Sequence, residues 1–462
     1  MDILVIGGGI SGLATAFAIE RLAEQRGIEV VVRVIEATER LGGKVDTRRV
    51  GDFTVEAGVN GWLDSKPTTE ELCATLGLDE RKLISRDAAR TRFIFRHGTL
   101  HRVPEGPGRL LTSPLLSWRG KLRLLREPWA KPATPGESDE TLAAFARRRL
   151  GPEALEALID PLVGGVFAGD PERMSLASSF PSLAALEADH GSLLRGLLKR
   201  RRPRKNGGPP PATRAAARGG RLISLAGGTQ DLVGALAERL GIAPQTGTPV
   251  QSLQRQGGGF VATLRDGRKL TAERVILATP AWAAAPILEP LHPELARTVA
   301  EIPYAPLAVV ALGWRQEAFA APPESFGFVI PHSEQRPSLG TLFESCVFAL
   351  RAPPGQVLTR TMVGGMRRAA LAARDDDALV ALVQDELRSI AGVHEKPLMT
   401  AVIKHPHAIP QYAPGHRQRL TRIDGLTSAC RGLTITGNAY HGVGLNDCTA
   451  RAKVVAAAIL SK

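Results

Sequence analysis

The apolar residues of this chain change their spacing along its length, and those changes mark out its elements. Met1 to Ile6 is a short, nearly continuous apolar run, the pattern of a strand buried on both faces. From Leu13 to Leu22 the apolar positions recur at helical spacing, and Ile28 to Ile35 returns to a strand. Phe53 to Ala57 alternates like a strand, and Glu70 to Leu83 predicts a helix. Thr91–Phe95 and Thr99–Val103, split by His97-Gly98, predict a hairpin. From Pro104 to about Leu198 the pattern is helical and broken by prolines. Ser138-Asp139-Glu140-Thr141 opens a helix over Leu142–Leu150, Pro152 starts another through Leu162, and Gly164 to Asp170 predicts a glycine-rich turn.

The second half is richer in strands. Leu222–Leu225 is followed by a helix through Leu240, and Pro249–Leu253, Phe260–Leu264 and Lys269–Thr271 predict a small meander. Val275–Ala278 reads as a buried strand. Tyr304–Leu312, Gly327–Ile330, Gly340–Phe343 and Val357–Val363 imply a second, larger sheet, and Asp375–Ile390 an amphipathic helix with aspartates at its N-terminus. Leu433–Thr436 is a last strand before a glycine-rich loop, Gly437 to Asp447, and a helix to the end. No repeat of fixed period is present.

Chemistry enters at the first turn. Gly7-Gly8-Gly9-Ile10-Ser11-Gly12 holds glycines at the three positions of G-x-G-x-x-G, between a strand and a helix, which is the context that gives the pattern weight. Gly7 permits the turn, Gly9 the approach of a pyrophosphate, and Gly12 close packing of helix on strand. Ile10 and Ser11 open a helix whose free N–H groups and positive dipole end favour an anion. The motif calls for an acidic residue closing the second strand, to accept from a ribose, and Glu36 stands there. A dinucleotide is the expected ligand. Beyond Glu36, Arg40-Leu41-Gly42-Gly43-Lys44 suits a second backbone wall over the diphosphate, and Gly58-Val59-Asn60 a loop pressed against a flat ring system.

Composition narrows the rest. The 462 residues allow two or three domains and a large core. The four cysteines, Cys73, Cys346, Cys430 and Cys448, form no C-x-x-C pair, which argues for a reducing, cytoplasmic setting and against a disulfide framework or structural zinc. His405-Pro406-His407 lacks neighbouring carboxylates, so no metal site is predicted. The first strand begins at Met1, leaving no room for a leader, and the longest apolar stretch, Val275–Leu288, is too short to span a bilayer. The net charge of +13 suits an anionic membrane face or an acidic substrate. Aromatic residues are only 5% of the chain and no nucleic-acid motif is present, so nucleic acid is not an expected partner. Lys199 to Arg221 is basic and low in complexity, either a solvated loop or a contact for anionic lipid.

Taken in order, Val-Ile-Gly-Gly-Gly-Ile-Ser-Gly-Leu, Arg-Leu-Gly-Gly, Gly-Val-Phe-Ala-Gly-Asp, Val-Ile-Leu-Ala-Thr-Pro and Gly-Asn-Ala-Tyr-His-Gly-Val-Gly-Leu-Asn-Asp-Cys resemble the protoporphyrinogen oxidase family, within the amine-oxidase-like flavoproteins. The resemblance covers nearly the whole chain. It implies a mixed α/β fold with three parts: a Rossmann-type FAD domain built from discontinuous segments, a substrate domain with a large mixed sheet, and an inserted helical domain. The parts expected are 1–65, 222–290 and 426–462 for FAD, 66–103 and 291–425 for substrate, 104–198 for a membrane-facing helical domain, and 199–221 for a basic loop. The activity implied is the six-electron oxidation of protoporphyrinogen IX, with non-covalent FAD and with O2 as acceptor giving hydrogen peroxide. Coproporphyrinogen III is the alternative substrate. Another flavin dehydrogenase of the group and a non-catalytic FAD-binding protein are further alternatives. A homodimer and peripheral contact with the inner face of the cell membrane are also implied.

Residue by residue, the resemblance places Gly7, Gly9, Gly12, Glu36, Arg40, Gly42, Gly43 and Lys44 at the cofactor. Val250 and Thr279 fall near the adenine, and Val443, Gly444 and Leu445 at the flavin ring. Arg92 matches an arginine that pairs with a propionate, Gly165 a pocket glycine, and Val329, Leu342 and Met362 apolar residues that sandwich the macrocycle. No side chain is implied as a catalytic acid, base or nucleophile, because the flavin carries the chemistry. Two departures stand out: Val59 where the family has proline, and Lys44 where many relatives have arginine. An amine oxidase would need an aromatic cage, and none of Tyr304, Tyr412 and Tyr440 falls at its C-terminal position.

Overall fold

The computed structural model describes residues 1–132, 139–201 and 220–461. Ser138, in the expected helix start, and most of the basic run Lys199 to Arg221 lie outside the described residues.

Four strands from distant parts of the chain form one parallel sheet, in the order Leu433–Ile435, Arg274–Leu277, Asp2–Ile6, Val31–Ile35. The continuous apolar run of the first strand has a simple cause, because the sheet is covered on both faces. Ile3 and Val5 pack with helix Ile10–Arg26 and helix Leu445–Leu460, while Leu4 and Ile6 pack with the meander and with helices Ala281–Leu288 and Pro293–Ala300. The first and last helices run side by side in the same direction. Ser11 meets Cys448 near their starts, and Arg26 Nη1 reaches Leu460 O at 3.5 Å near their ends.

The second sheet has seven strands, in the order Met399–Pro410, Tyr304–Arg315, Gln356–Gly364, Ser338–Phe343, Gly327–Val329, Arg92–Arg96, Thr99–Arg102. All pairings are antiparallel except Gly327–Val329 with Arg92–Arg96, so the sheet is mixed. One face, through Val310, Leu312, Phe328 and Val363, packs on helix Asp376–Ala391 at Leu379, Val383 and Leu387. The other carries Val309, Ala311, Met362 and Ile403 and packs in part on Phe53 and Val55.

Three expectations are corrected. The helix over Glu70–Leu83 ends early: it spans Thr68–Thr75, Gly77 turns the chain at φ +75°, and Lys82–Ile84 is a strand. The glycines of Gly164 to Asp170 do not all make a turn. Gly164 and Gly165 lie inside helix Asp160–Phe167, and the chain turns only at Ala168, φ +48°. Strand Met399–Pro410 was not expected at all, because Pro406 interrupts its pattern. It is tolerated because the strand lies at the sheet edge, where the register shifts opposite Ala305 and Leu307. Among the described residues, no helix is long and apolar enough to cross a membrane.

Candidate functional site

The first wall of the site is backbone. Gly7, at φ +113°, donates its N–H to Ile35 O at 2.8 Å, and a Cβ there would lie 2.9 Å from the Ala278 carbonyl. A Cβ on Gly12 would overlap Gly7 O, and one on Gly42, at φ +109°, would overlap Val45 O. Those glycines are therefore required by protein packing. Gly9 is different: a Cβ on it would find nothing nearer than 3.9 Å, yet it sits where two glycine turns meet, with Gly42 N–H on Gly8 O at 2.8 Å. Its missing side chain opens a cradle instead of relieving a clash. Among the described residues no side chain caps helix Ile10–Arg26 at Gly9, whereas Asp447 accepts the Gly444 N–H at the start of helix Leu445–Leu460, and the two N-termini converge. The uncapped dipole end at Gly9, with its free N–H groups, suits an anion.

Side chains hold this wall in shape. Glu36 accepts from Gly8 N–H at 2.8 Å through one oxygen, and from Thr38 N–H and Oγ1 at 2.9 Å through the other. The carboxylate is thereby oriented with lone pairs left for a hydroxyl. Arg40 folds back on its own loop, donating to Leu41 O, Val45 O and Gly43 O at 2.6–2.9 Å. It shapes the Gly42-Gly43 turn as a scaffold. Thr248 N–H donates to Glu36 O, which brings the start of strand Val250–Gln256, and Val250 with it, beside the acidic residue. Thr279 Oγ1 is buried without a hydrogen-bond partner among the described residues. A buried orphan hydroxyl beside an open glycine cradle fits a polar, phosphate-bearing ligand.

The loop Gly58-Val59-Asn60 runs from strand Phe53–Glu56 toward the second sheet. Val59 N–H donates to Lys44 O at 3.2 Å, and Arg360 Nη2 to Gly58 O at 2.5 Å. The first of these bonds is one a proline could not make. Beneath the loop, buried Glu56 accepts from Thr229 N–H and Oγ1, Thr47 Oγ1 and Arg351 at 2.8–3.2 Å. Lys44 Nζ stands 3.3 Å from His405 Nδ1, and His405 Nε2 stands 2.8 Å from Ala57 O. Read as Lys44 donating and His405 donating onward, the pair requires a neutral imidazole. Burial, and then Lys44, hold His405 down at about 4. On the far side, Gly444 N–H donates to Asp447 at 3.2 Å, and Val443 packs against Phe167 and its neighbours in the helical part. Burial pushes the Cys448 thiol up to about 11, so it stays protonated.

The substrate-side residues are assembled by register. Across the seven-stranded sheet Arg92, Gly327, Leu342, Arg360 and Ala311 are successive partners in one row. Ile94, Val329, Gly340, Met362 and Val309 form the next. Direct partners share a face, so Arg92, Val329, Leu342 and Met362 lie on one surface, with His405 further along it opposite Leu307. Helix Asp160–Phe167 lies over this face. A Cβ on Gly165 would come within 2.6 Å of Val329 Cγ1, which is why the helix carries glycine there. Arg367 clamps the helix by bridging Asp160 and Asp170, and Asp160 also accepts His332 N–H at 2.7 Å. The Arg92 guanidinium stacks over Phe326 at 4.9 Å and has no ion pair among the described residues. That leaves its two-pronged donor edge for a carboxylate.

Sequence reasoning missed Arg360, Glu344, His405 and Thr229, which support the Gly58–Asn60 loop or its lysine neighbour. Their roles depend on pairings across the second sheet that no local pattern reveals. His405 carried a signal, in His405-Pro406-His407, yet the two rings part: His407 stacks on Trp282 at 4.9 Å. Tyr304 and Tyr412 brace backbone, accepting Ala281 N–H at 2.9 Å and Gly442 N–H at 2.8 Å.

The family described as flavin containing amine oxidoreductase matches residues 10–460. The chain is 35% identical over 480 residues to protoporphyrinogen oxidase of Bos taurus, covering 99% of this chain and 98% of that one. It is 30% identical over 461 residues to coproporphyrinogen III oxidase of Bacillus subtilis (strain 168), covering 98% and 96%. A crystal structure from Exiguobacterium sp. 255-15, provisionally named a protoporphyrinogen oxidase, superposes with a TM-score of 0.84 at 26% identity, covering 100% and 99%.

Proposed function

The chain belongs to the flavin containing amine oxidoreductase family, and from that premise we propose that it is an oxygen-dependent oxidase of protoporphyrinogen IX. The protein is an oxidoreductase with FAD as its cofactor. The observation that carries the substrate reading is Arg92, without an ion pair among the described residues, on the same sheet face as Val329, Leu342 and Met362. An apolar disc with acidic arms matches that surface.

FAD, when bound, would supply the hydride acceptor and the route for electrons to O2. The chain's own part is placement. Gly7, Gly9, Gly12, Gly42 and Gly43 hold the diphosphate on backbone, Glu36 meets the ribose, and Gly58-Val59-Asn60 with Val443, Gly444 and Leu445 bound the ring. Arg92 ties down a propionate while the Gly165 helix and the Met362 face press the macrocycle flat and exclude water. No acid, base or nucleophile need act on the carbon that loses hydride.

Coproporphyrinogen III is the second reading, favoured by the bacterial relative of that name. An assay starting both porphyrinogens anaerobically and admitting air, followed by porphyrin fluorescence, tests the proposal. Faster turnover of protoporphyrinogen supports it, and turnover of coproporphyrinogen alone replaces it with the second reading. FAD-loaded protein that turns over neither ends it.

We infer a peripheral membrane contact as well. Trp118 and Trp129 are 68% and 77% exposed on the helical part, beside exposed Leu122 and Leu125 and among Arg119, Arg123 and Arg126. Apolar rings within a basic rim suit an anionic lipid surface. Co-sedimentation with anionic vesicles that survives Trp118→Ser with Trp129→Ser removes this face from the contact.

A further inference from the structure

Behind the Gly58–Asn60 loop lies a charged group that dehydrogenation, as described, does not use. Glu344 begins the short helix Glu344–Val347 directly after strand Ser338–Phe343 and is 1% exposed. Arg360, in the same cross-strand row as Arg92 and Leu342, places its Nη1 3.6 Å from the Glu344 carboxylate while its Nη2 holds Gly58 O. The Asn60 amide is turned toward the same carboxyl. Yet neither oxygen of Glu344, neither amide atom of Asn60, nor Nε of Arg360 completes a hydrogen bond among the described residues. Five buried polar atoms are left unsatisfied at one place.

The surrounding charges are few. Arg360 faces Glu344 from strand Gln356–Gly364, and Arg351 acts on it from beyond the short helix. Arg351 is committed elsewhere, to Glu56 at 3.2 Å and Ser224 at 2.7 Å. Glu56 is itself satisfied by Thr229 and Thr47. The contrast between the two buried acids is plain: Glu56 has four short hydrogen bonds, and Glu344 has a looser ion pair with Arg360 at 3.6 Å. Burial favours the neutral carboxyl and Arg360 the charged one, and burial is the larger, holding Glu344 above its ordinary range.

We propose that Glu344 is a redox-linked proton site, taking up one proton when the bound flavin receives two electrons and returning it on reoxidation. The account balances. Each dehydrogenation removes a hydride and a proton from the substrate. The hydride goes to the cofactor, the substrate's N–H proton leaves to solvent water, and water supplies the proton that forms an O–H bond on Glu344. On reoxidation O2 takes two electrons, one proton from the cofactor and one from Glu344, and leaves as hydrogen peroxide. Glu344 touches no reacting atom in this scheme. It acts through Asn60 and Arg360 as a positioning residue, freeing the Arg360 charge to face the added electrons. The proposal rests on the flavin and its loop, and holds whichever porphyrinogen is the substrate.

The test is a redox titration of the FAD-loaded protein, followed by flavin absorbance at a series of pH values across the range in which the fold is retained. Wild type should show one more tenfold change in the reduction equilibrium per pH unit than Glu344→Gln, which is about 30 mV for a two-electron couple. Equal slopes in the two proteins overturn the proposal. A second measurement covers a Glu344→Gln protein that does not keep its cofactor. Reduction-induced infrared difference spectra of wild type should show a protonated carboxyl band that moves in heavy water and is displaced in Glu344→Asp. Absence of that band overturns the proposal equally.

Discussion

The two walls of the site are built on opposite principles. The proposed cofactor wall is made of backbone: Gly7 to Gly12 and Gly42-Gly43 interlock within the first 43 residues, later segments complete the wall, and packing leaves no room for side chains at Gly7, Gly12 and Gly42. The substrate wall is non-local and made of side chains. Arg92, Val329, Leu342 and Met362 come from four strands spread over 270 residues and share a surface only because the register aligns them. The difference teaches where each kind of damage should appear. Changes in the first wall should remove the cofactor, and changes in the second should leave the cofactor and alter substrate handling.

The largest expected effect is on the cofactor side. Gly12→Val drives a Cβ into Gly7 O. Strain of about 3 kcal/mol or more should lower FAD affinity at least ~100-fold, read as loss of flavin absorbance in the purified protein. A yellow Gly12→Val protein would break the comparison at its root. Next is Arg92→Ala, which removes a charge-assisted pair worth about 1.5–3 kcal/mol. KM for the porphyrinogen should rise roughly 10- to 100-fold with FAD content unchanged, and equal KM removes Arg92 from the pocket. Gly165→Ala is milder. Its methyl meets Val329 Cγ1 at 2.6 Å, a flexible neighbour, so overpacking of about 1–2 kcal/mol should reduce kcat/KM about tenfold at full FAD occupancy.

A pH dependence sharpens the comparison at the seam between the walls. His405 and His416 are both held at about 4 by burial, against an ordinary 6.5. Unfolded chains bind those protons near 6.5 and the folded protein does not, so the histidines' share of stability is complete above 6.5. It is lost as the pH falls through about 4. Tm should fall across that window, and less steeply in His405→Gln; parallel curves would show that His405 is not held neutral. The smallest effect is Val59→Pro. It loses the bond to Lys44 O and stiffens the unfolded chain, two effects of about 1 kcal/mol and opposite sign. Thermal denaturation should show a net shift under ~1 kcal/mol.

The same contrast explains what could be read from the residues alone. The strand, glycine turn, helix and Glu36 were legible because each is decided by its immediate neighbours. Most strands of the second sheet were legible too, as alternating or apolar runs. Its edge strand was hidden by Pro406, which only an edge position with a register shift makes acceptable. The glycines at Gly164 and Gly165 suggested a turn because local rules price glycine by its conformational freedom. At Gly165 the reason is Val329, 164 residues away and within reach of an added Cβ; nothing in the packing explains Gly164. Arg360 and Glu344 left no trace, since nothing in a strand's own pattern says which distant loop its arginine will hold.

One feature has a bearing on how the molecule comes into being. The first helix and the last run in the same direction, and their starting ends meet, Ser11 beside Cys448. The fourth strand of the first sheet, Leu433–Ile435, is also supplied by the final tenth of the chain. The glycine turn therefore leaves the ribosome well before Gly444, which its cradle needs in order to be whole. Loading with FAD belongs after Gly444 has been made, and a chain cut short before it would carry the dinucleotide motif intact and lack the means to keep its ligand.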